Sequence, residues 1–123
     1  MVRERVLRVV LIVVGLLFLA LIYPGLMFFS RQPGVAMIMS IYVTLGVFLL
    51  LAARDPAANR SLIAFAGWAN VAHAAVMAVQ AYLHVIEPRE LVGVLAFGII
   101  GIALIAVAPA KQSPKQVSEA RAA

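Results

Sequence analysis

The chain contains no cysteine, which excludes disulfide bridges and thiolate-held metals and leaves the redox compartment unread. Charge is also scarce, with five acidic and ten basic side chains in 123 residues, and there are only two histidines. No carboxylate lies inside an apolar run. No Ser/His/Asp or Cys/His set, carboxylate pair or metal-spaced His/Glu cluster can be assembled, so the sequence reads as non-enzymatic. There is no polar stretch long enough to bury a core of its own; the longest is 111–123. What is present is apolar: 65% of the residues, with a mean hydropathy of +1.07. Soluble domains are about 45 to 50% apolar and about 25% charged, so the chain falls in the membrane class. The net charge of +5 then points to anionic lipid head groups, not nucleic acid, because the basic residues cluster at the ends of apolar runs.

Four such runs follow one another, each about 18 to 26 residues long and so able to cross a hydrocarbon layer. The spacing predicts helices at about 6–29, 35–53, 57–86 and 90–108, with residues 110–123 a disordered cytoplasmic tail. The first run is too long for a signal-peptide core and no A-x-A-like pair precedes Ser30, so it reads as a retained span. Pro24, with Gly25 behind it, predicts a kink or an end near Tyr23. Asp55 before Pro56 has the chemistry of an N-cap and first helical position. The fold class expected is all-α: an integral membrane four-helix bundle, up-down-up-down, in one domain over 1–109. No sequence repeat between its halves stands out. The N-terminus (Arg3, Arg5, Arg8), the second loop (Arg54, Arg60) and the tail (Lys111, Lys115, Arg121) hold eight of the ten basic residues. The positive-inside rule therefore predicts that both termini are cytoplasmic.

The third run, Ser61 to Ile86, carries most of the polar side chains found within apolar sequence. Asn70, His73, Met77, Gln80 and His84 are spaced 3, 4, 3 and 4, which places them in one stripe about 80° wide on an α-helix. Polar side chains are costly against lipid tails, so the stripe should face protein or a cavity. In the second run Met37, Ser40 and Thr44 repeat the spacing at matching depths. The two stripes are expected to face each other through hydrogen bonds worth about 0.6 to 2 kcal/mol each. The candidate intramembrane site is thus Asn70, His73, Met77, Gln80, Ser40 and Thr44, with Gly67, Ala74, Ala78 and Ala81 on the third run and Gly98 and Gly101 on the fourth permitting close approach. As interhelical glue, His73 should bond Thr44, Asn70 or a backbone carbonyl. As a functional group it would ligate haem, donate to a quinone or relay protons. His73 and His84 are 11 residues apart on one helix, ~16 Å along its axis, and cannot share one iron. Tyr42, deep in the second run, should find a buried hydroxyl partner. Arg54, Asp55 and Arg60 form a candidate cytoplasmic or lipid head-group cluster.

The run Ala52-Ala-Arg-Asp-Pro, then Arg60-Ser-Leu-Ile, Trp68, His73-Ala and Val76-Met-Ala-Val-Gln80, resembles a family of small four-helix bacterial membrane proteins with no assigned function. The likeness extends from about Gly46 to Tyr82. It implies bacterial inner-membrane placement and brings no catalytic or binding residues with it. Length and span count also resemble the small multidrug exporters, but those use a glutamate within the first helix, and this first helix has no carboxylate after Glu4.

The expected role is that of a small polytopic membrane protein acting by packing, as a homo-oligomer or as a subunit of a membrane complex, with the lipid bilayer as its medium and no cofactor required. The alternative is a module that binds quinone or haem, or that is linked to protons, through the His73 stripe.

Overall fold

A computed structural model describes residues 2–109 and 114–122 of the chain. Its described residues are arranged as helices: α1 (Val2–Ala20), α2 (Ile22–Met27), α3 (Pro33–Ala52), α4 (Arg60–Tyr82), a single 3-10 turn (Pro88–Glu90), α5 (Leu91–Val107) and α6 (Pro114–Ala122). Four segments are long and apolar enough to cross a membrane: α1 with α2, then α3, α4, and α5 with its leading turn. The all-α four-helix architecture is as expected, while the details follow local chemistry. α1 stops at Ala20, earlier than anticipated, because Pro24 has no N–H to give the carbonyl four residues back. Leu21 instead donates to Phe18 at 3.1 Å and the chain resumes as α2. Pro33 starts α3 at a position where a missing N–H costs nothing.

α4 begins at Arg60 with Asn59 at its N-cap, not at Asp55–Pro56. The Asp55 carboxylate accepts from Ala58 N–H at 3.2 Å and the Asn59 amide donates to the Asp55 carbonyl at 2.8 Å, so the chemistry expected to cap a helix builds a turn. α4 ends at Tyr82 through a left-handed residue. His84, with φ of 56°, lets Val85 N–H reach the Gln80 carbonyl at 2.8 Å and His84 N–H the Ala81 carbonyl at 3.1 Å. This is the paired closure that usually requires glycine. The expected tail at 110–123 lies partly outside the described residues, and 114–122 within it are helical.

Packing organises the spans as two hairpins. α4 with α5, and α1 with α3, form the two extensive interfaces, whereas α1–α5 and α3–α4 contacts between hairpins are slight. Each hairpin closes on a glycine pair. A Cβ on Gly46 would lie 2.7 Å from the Gly15 carbonyl oxygen, and one on Gly101 would lie 2.8 Å from that of Gly67. Backbones meet directly there, the arrangement by which helices associate in lipid, where van der Waals contact replaces the hydrophobic drive. The buried set repeats as well. Leu11, Val14, Gly15 and Phe18 of α1 recur 52 residues later as Ile63, Ala66, Gly67 and Asn70 of α4, all buried. Tyr42, Gly46 and Leu49 of α3 recur 55 residues later as Phe97, Gly101 and Leu104 of α5. α1 and α4 run in the same direction, so the two hairpins repeat one pattern of buried positions in the same sense.

The polar ends gather as the topology requires. An Arg3 guanidinium N–H donates to the Ala108 carbonyl at 3.0 Å and Arg60 Nε to the Pro109 carbonyl at 2.9 Å. The start of α1, the start of α4 and the end of α5 therefore share one end of the bundle.

Candidate functional site

At the middle of the bundle each of the four spans contributes one ring. Phe18 and Tyr42 meet edge to face at 5.1 Å, Tyr42 and His73 edge to face at 5.5 Å, Tyr42 and Phe97 at 5.1 Å, and His73 and Phe97 at 4.5 Å. Separations of 4.5 to 7 Å in tilted or edge-on arrangements are the favourable range for aromatic pairs. The rings are placed by the glycine crossings: Phe18 lies one turn beyond Gly15, and Tyr42 and Phe97 one turn before Gly46 and Gly101. Tyr42 is the hub, 7% exposed, and it bridges the two hairpins.

Asn70 lies one turn before His73 on α4 and is fully enclosed, at 0% exposure. Its amide N–H donates to the Ala66 carbonyl at 2.7 Å, within its own helix. Its Oδ1 is buried without a donor among the described residues. Met77 and Gln80 continue the stripe as half-buried residues, Met77 against the backbone of α5 at Gly93. Trp68, on the other side of α4, is 62% exposed. Of the small residues, Gly67, Ala74, Gly98 and Gly101 line the α4–α5 interface, whereas Ala78, expected to share their face, is exposed. The α4 stripe therefore faces protein along Asn70 and His73.

The α3 stripe does not face it. Ser40 donates to the Met37 carbonyl at 2.6 Å and Thr44 to the Ser40 carbonyl at 3.0 Å, both within α3, and Met37, Ser40 and Thr44 are all exposed. The expected hydrogen bonds across α3 and α4 are replaced by these local ones because α3 spends its close face on α1. A serine or threonine hydroxyl satisfies itself on the preceding turn at little cost. His73 likewise bonds neither Thr44 nor Asn70 in the structure, and the Tyr42 hydroxyl has no protein partner among the described residues. His84 is taken up in closing α4 at the far end. Ser40 and Thr44 instead belong to the walls of two open grooves. One, of about 720 Å³, lies between α2 and α3 and is lined by Leu21, Gly25, Leu26, Phe29, Met37 and Met39 among others. The other, of about 410 Å³, lies between α3 and α4 and is lined by Ser40, Ile41, Thr44, Leu45, Phe48, Leu62 and Phe65.

The cytoplasmic-loop candidates Arg54, Asp55 and Arg60 do not converge on one ligand position. Arg54 is exposed, Asp55 is held in its turn, and Arg60 holds the exit of α5. A cavity of about 300 Å³ at that end is lined by Arg3, Glu4, Leu7, Asp55, Pro56, Ala57, Val107 and Pro109. The aromatic cluster was the part of the site missed from sequence. Phe18 and Phe97 sit in uniformly apolar helices, and only the equivalent spacing around the four glycines would have singled them out.

Comparison with curated proteins and with solved structures finds no match for the chain. A family model matches it from residue 2 to residue 122, and on that match the chain belongs to DUF6632, a family of unknown function.

Proposed function

We propose that this protein is a non-enzymatic packing unit of the bacterial inner membrane, with both termini cytoplasmic, which assembles with a second copy of itself through the groove between α2 and α3. The observation that carries the reading is the groove itself. The break at Leu21 and the missing side chain of Gly25, where a Cβ would stand 3.5 Å from Met39 Cβ, border a cleft of about 720 Å³ whose walls are mostly apolar. Connections between spans are short and offer a partner little surface, which favours contact within the bilayer. There, association favours small residues and close helix approach, and Gly25, Ala36 and Ser40 in the groove supply them. The orientation is supported by the gathering of Arg3 and Arg60 with the end of α5 at one end of the bundle.

Because the chain has no cysteine, single cysteines at Ala36 or Met37 give an unambiguous test. A bismaleimide added to native membranes should produce an adduct of twice the monomer mass, and a cysteine at Ile99 on α5 should not. An adduct with a different membrane protein would replace the self-assembly reading with that of a subunit in a mixed complex. Adducts at neither groove position would end the packing proposal.

A further inference from the structure

We propose that His73, Tyr42 and Asn70 form the polar end of a binding site for a planar, apolar-tailed ring bearing hydroxyl or carbonyl groups, of the quinone–quinol class, with its tail in the groove between α3 and α4. The site goes beyond the packing role and uses a different groove.

Three observations lead to it. First, the polar groups at the bundle centre join helices by ring packing alone and make no hydrogen bond between spans among the described residues. The Asn70 amide N–H is spent on its own helix, and neither His73 nor the Tyr42 hydroxyl bonds another span. Second, the Asn70 Oδ1 is an acceptor enclosed without a donor. Native proteins leave few such groups, and each one asks for a partner such as a ligand or water. Third, the scaffold does not require an amide at this position, since the equivalent place in the first hairpin is held by Phe18.

The surroundings select the ligand. The faces and edges of Phe97 and Tyr42 around His73 suit a flat ring. A neutral imidazole can both donate and accept, and a tyrosine hydroxyl can do the same, so carbonyl and hydroxyl forms of one ring are both served. Asn70 Oδ1, at the back, takes a donor. His73 is only half-buried and gives the open edge. Ser40, Ile41 and Thr44 in the wall of the α3–α4 groove lie at the same height on α3 as Tyr42, on the neighbouring face of the helix.

The test uses the full chain in nanodiscs of phosphatidylcholine, with His84→Asn leaving a single imidazole, and a decyl-substituted benzoquinone and its quinol as probes. The His73 ring nitrogen resonances should shift saturably with either probe. Affinity should fall about tenfold in His73→Phe, which keeps a ring in the cluster, and severalfold in Tyr42→Phe, as expected for the loss of one or two hydrogen bonds. Leu62→Trp, which fills the groove, should weaken binding without moving the unliganded spectrum. Asn70→Leu should bind less tightly while melting at a higher temperature, a combination that a purely structural amide would not give. Shifts that rise linearly with probe, or equal retention by His73→Phe and Tyr42→Phe, would mean partition into lipid alone and would overturn the site. Displacement of the probe by added phospholipid at equal concentration would do the same. Cross-linking through Ala36 should be unaffected by these variants, so failure here leaves the assembly reading standing.

Discussion

The two hairpins are built on one plan and differ in what fills it. In the first, the position one turn beyond the glycine crossing is Phe18, 2% exposed and stacked on Tyr42; in the second it is Asn70, 0% exposed, with an orphan oxygen. Leu21 of the first hairpin corresponds to His73 of the second. The first half closes as a dry apolar unit. The second keeps the same backbone approach while placing polar groups against the first half's Tyr42. Since both hairpins share the same crossing geometry, the close approach of the backbones does not depend on the polar residues, and a position of that kind is where a functional residue is expected to break local rules.

The sharpest way to break the comparison is at the aromatic position itself. Phe18→Ala should cost about 3 kcal/mol, because a fully covered ring leaves a cavity, whereas Phe97→Ala, at a half-buried position, should cost about half as much; unfolding in mixed detergent measures both. If the hairpins are equivalent, Gly46→Val and Gly101→Val should each lose about 2 to 3 kcal/mol, since at both sites the new side chain meets backbone atoms of the facing helix, a carbonyl oxygen among them. Gly34→Ala, with open space around it, is the silent control. A large effect in only one hairpin would show that the repeat is geometric and not energetic.

Asn70→Leu tests the difference between the halves. Removing an unpaired buried acceptor should stabilise the bundle by about 1 kcal/mol, seen as a rise in melting temperature; a loss of stability would mean that Asn70 has a structural partner. His84→Gly should also stabilise, by about 0.5 to 1 kcal/mol, because glycine enters the left-handed region without a Cβ penalty. Smallest of all, Ser40→Ala and Thr44→Ala should each change stability by less than about 0.5 kcal/mol, since their hydroxyls bond only their own helix. Had the two polar stripes been hydrogen-bonded to each other, these losses would be several times larger.

Much of this was legible in the residues. The span count and the up-down order follow from four apolar runs separated by Pro-, Gly- and charge-bearing turns, because a backbone in hydrocarbon must satisfy its hydrogen bonds internally and a helix does so locally. The inward turn of Asn70 and His73 was legible for the same reason. Of the small residues, Gly67, Ala74, Gly98 and Gly101 lie at an interface as expected, whereas Ala78 is exposed. Helix ends were less so. Pro24 announced a break, but the break lies three residues before it, where the missing N–H takes effect, and Asp55–Pro56 made a turn where a cap was expected.

What the residues alone determined, then, is every property set by one segment and its solvent: which stretches span, where each ends within a few residues, and which side of α4 avoids lipid. Which helix lies against which was decided only in three dimensions. Polar stripes at equal depth on α3 and α4 suggested partners, but a hydroxyl can satisfy itself on its own helix, while a glycine pair gains its contact energy only when two backbones actually meet. The Gly15–Gly46 and Gly67–Gly101 crossings therefore set the pairing. The aromatic centre and the unpaired Asn70 oxygen follow from it.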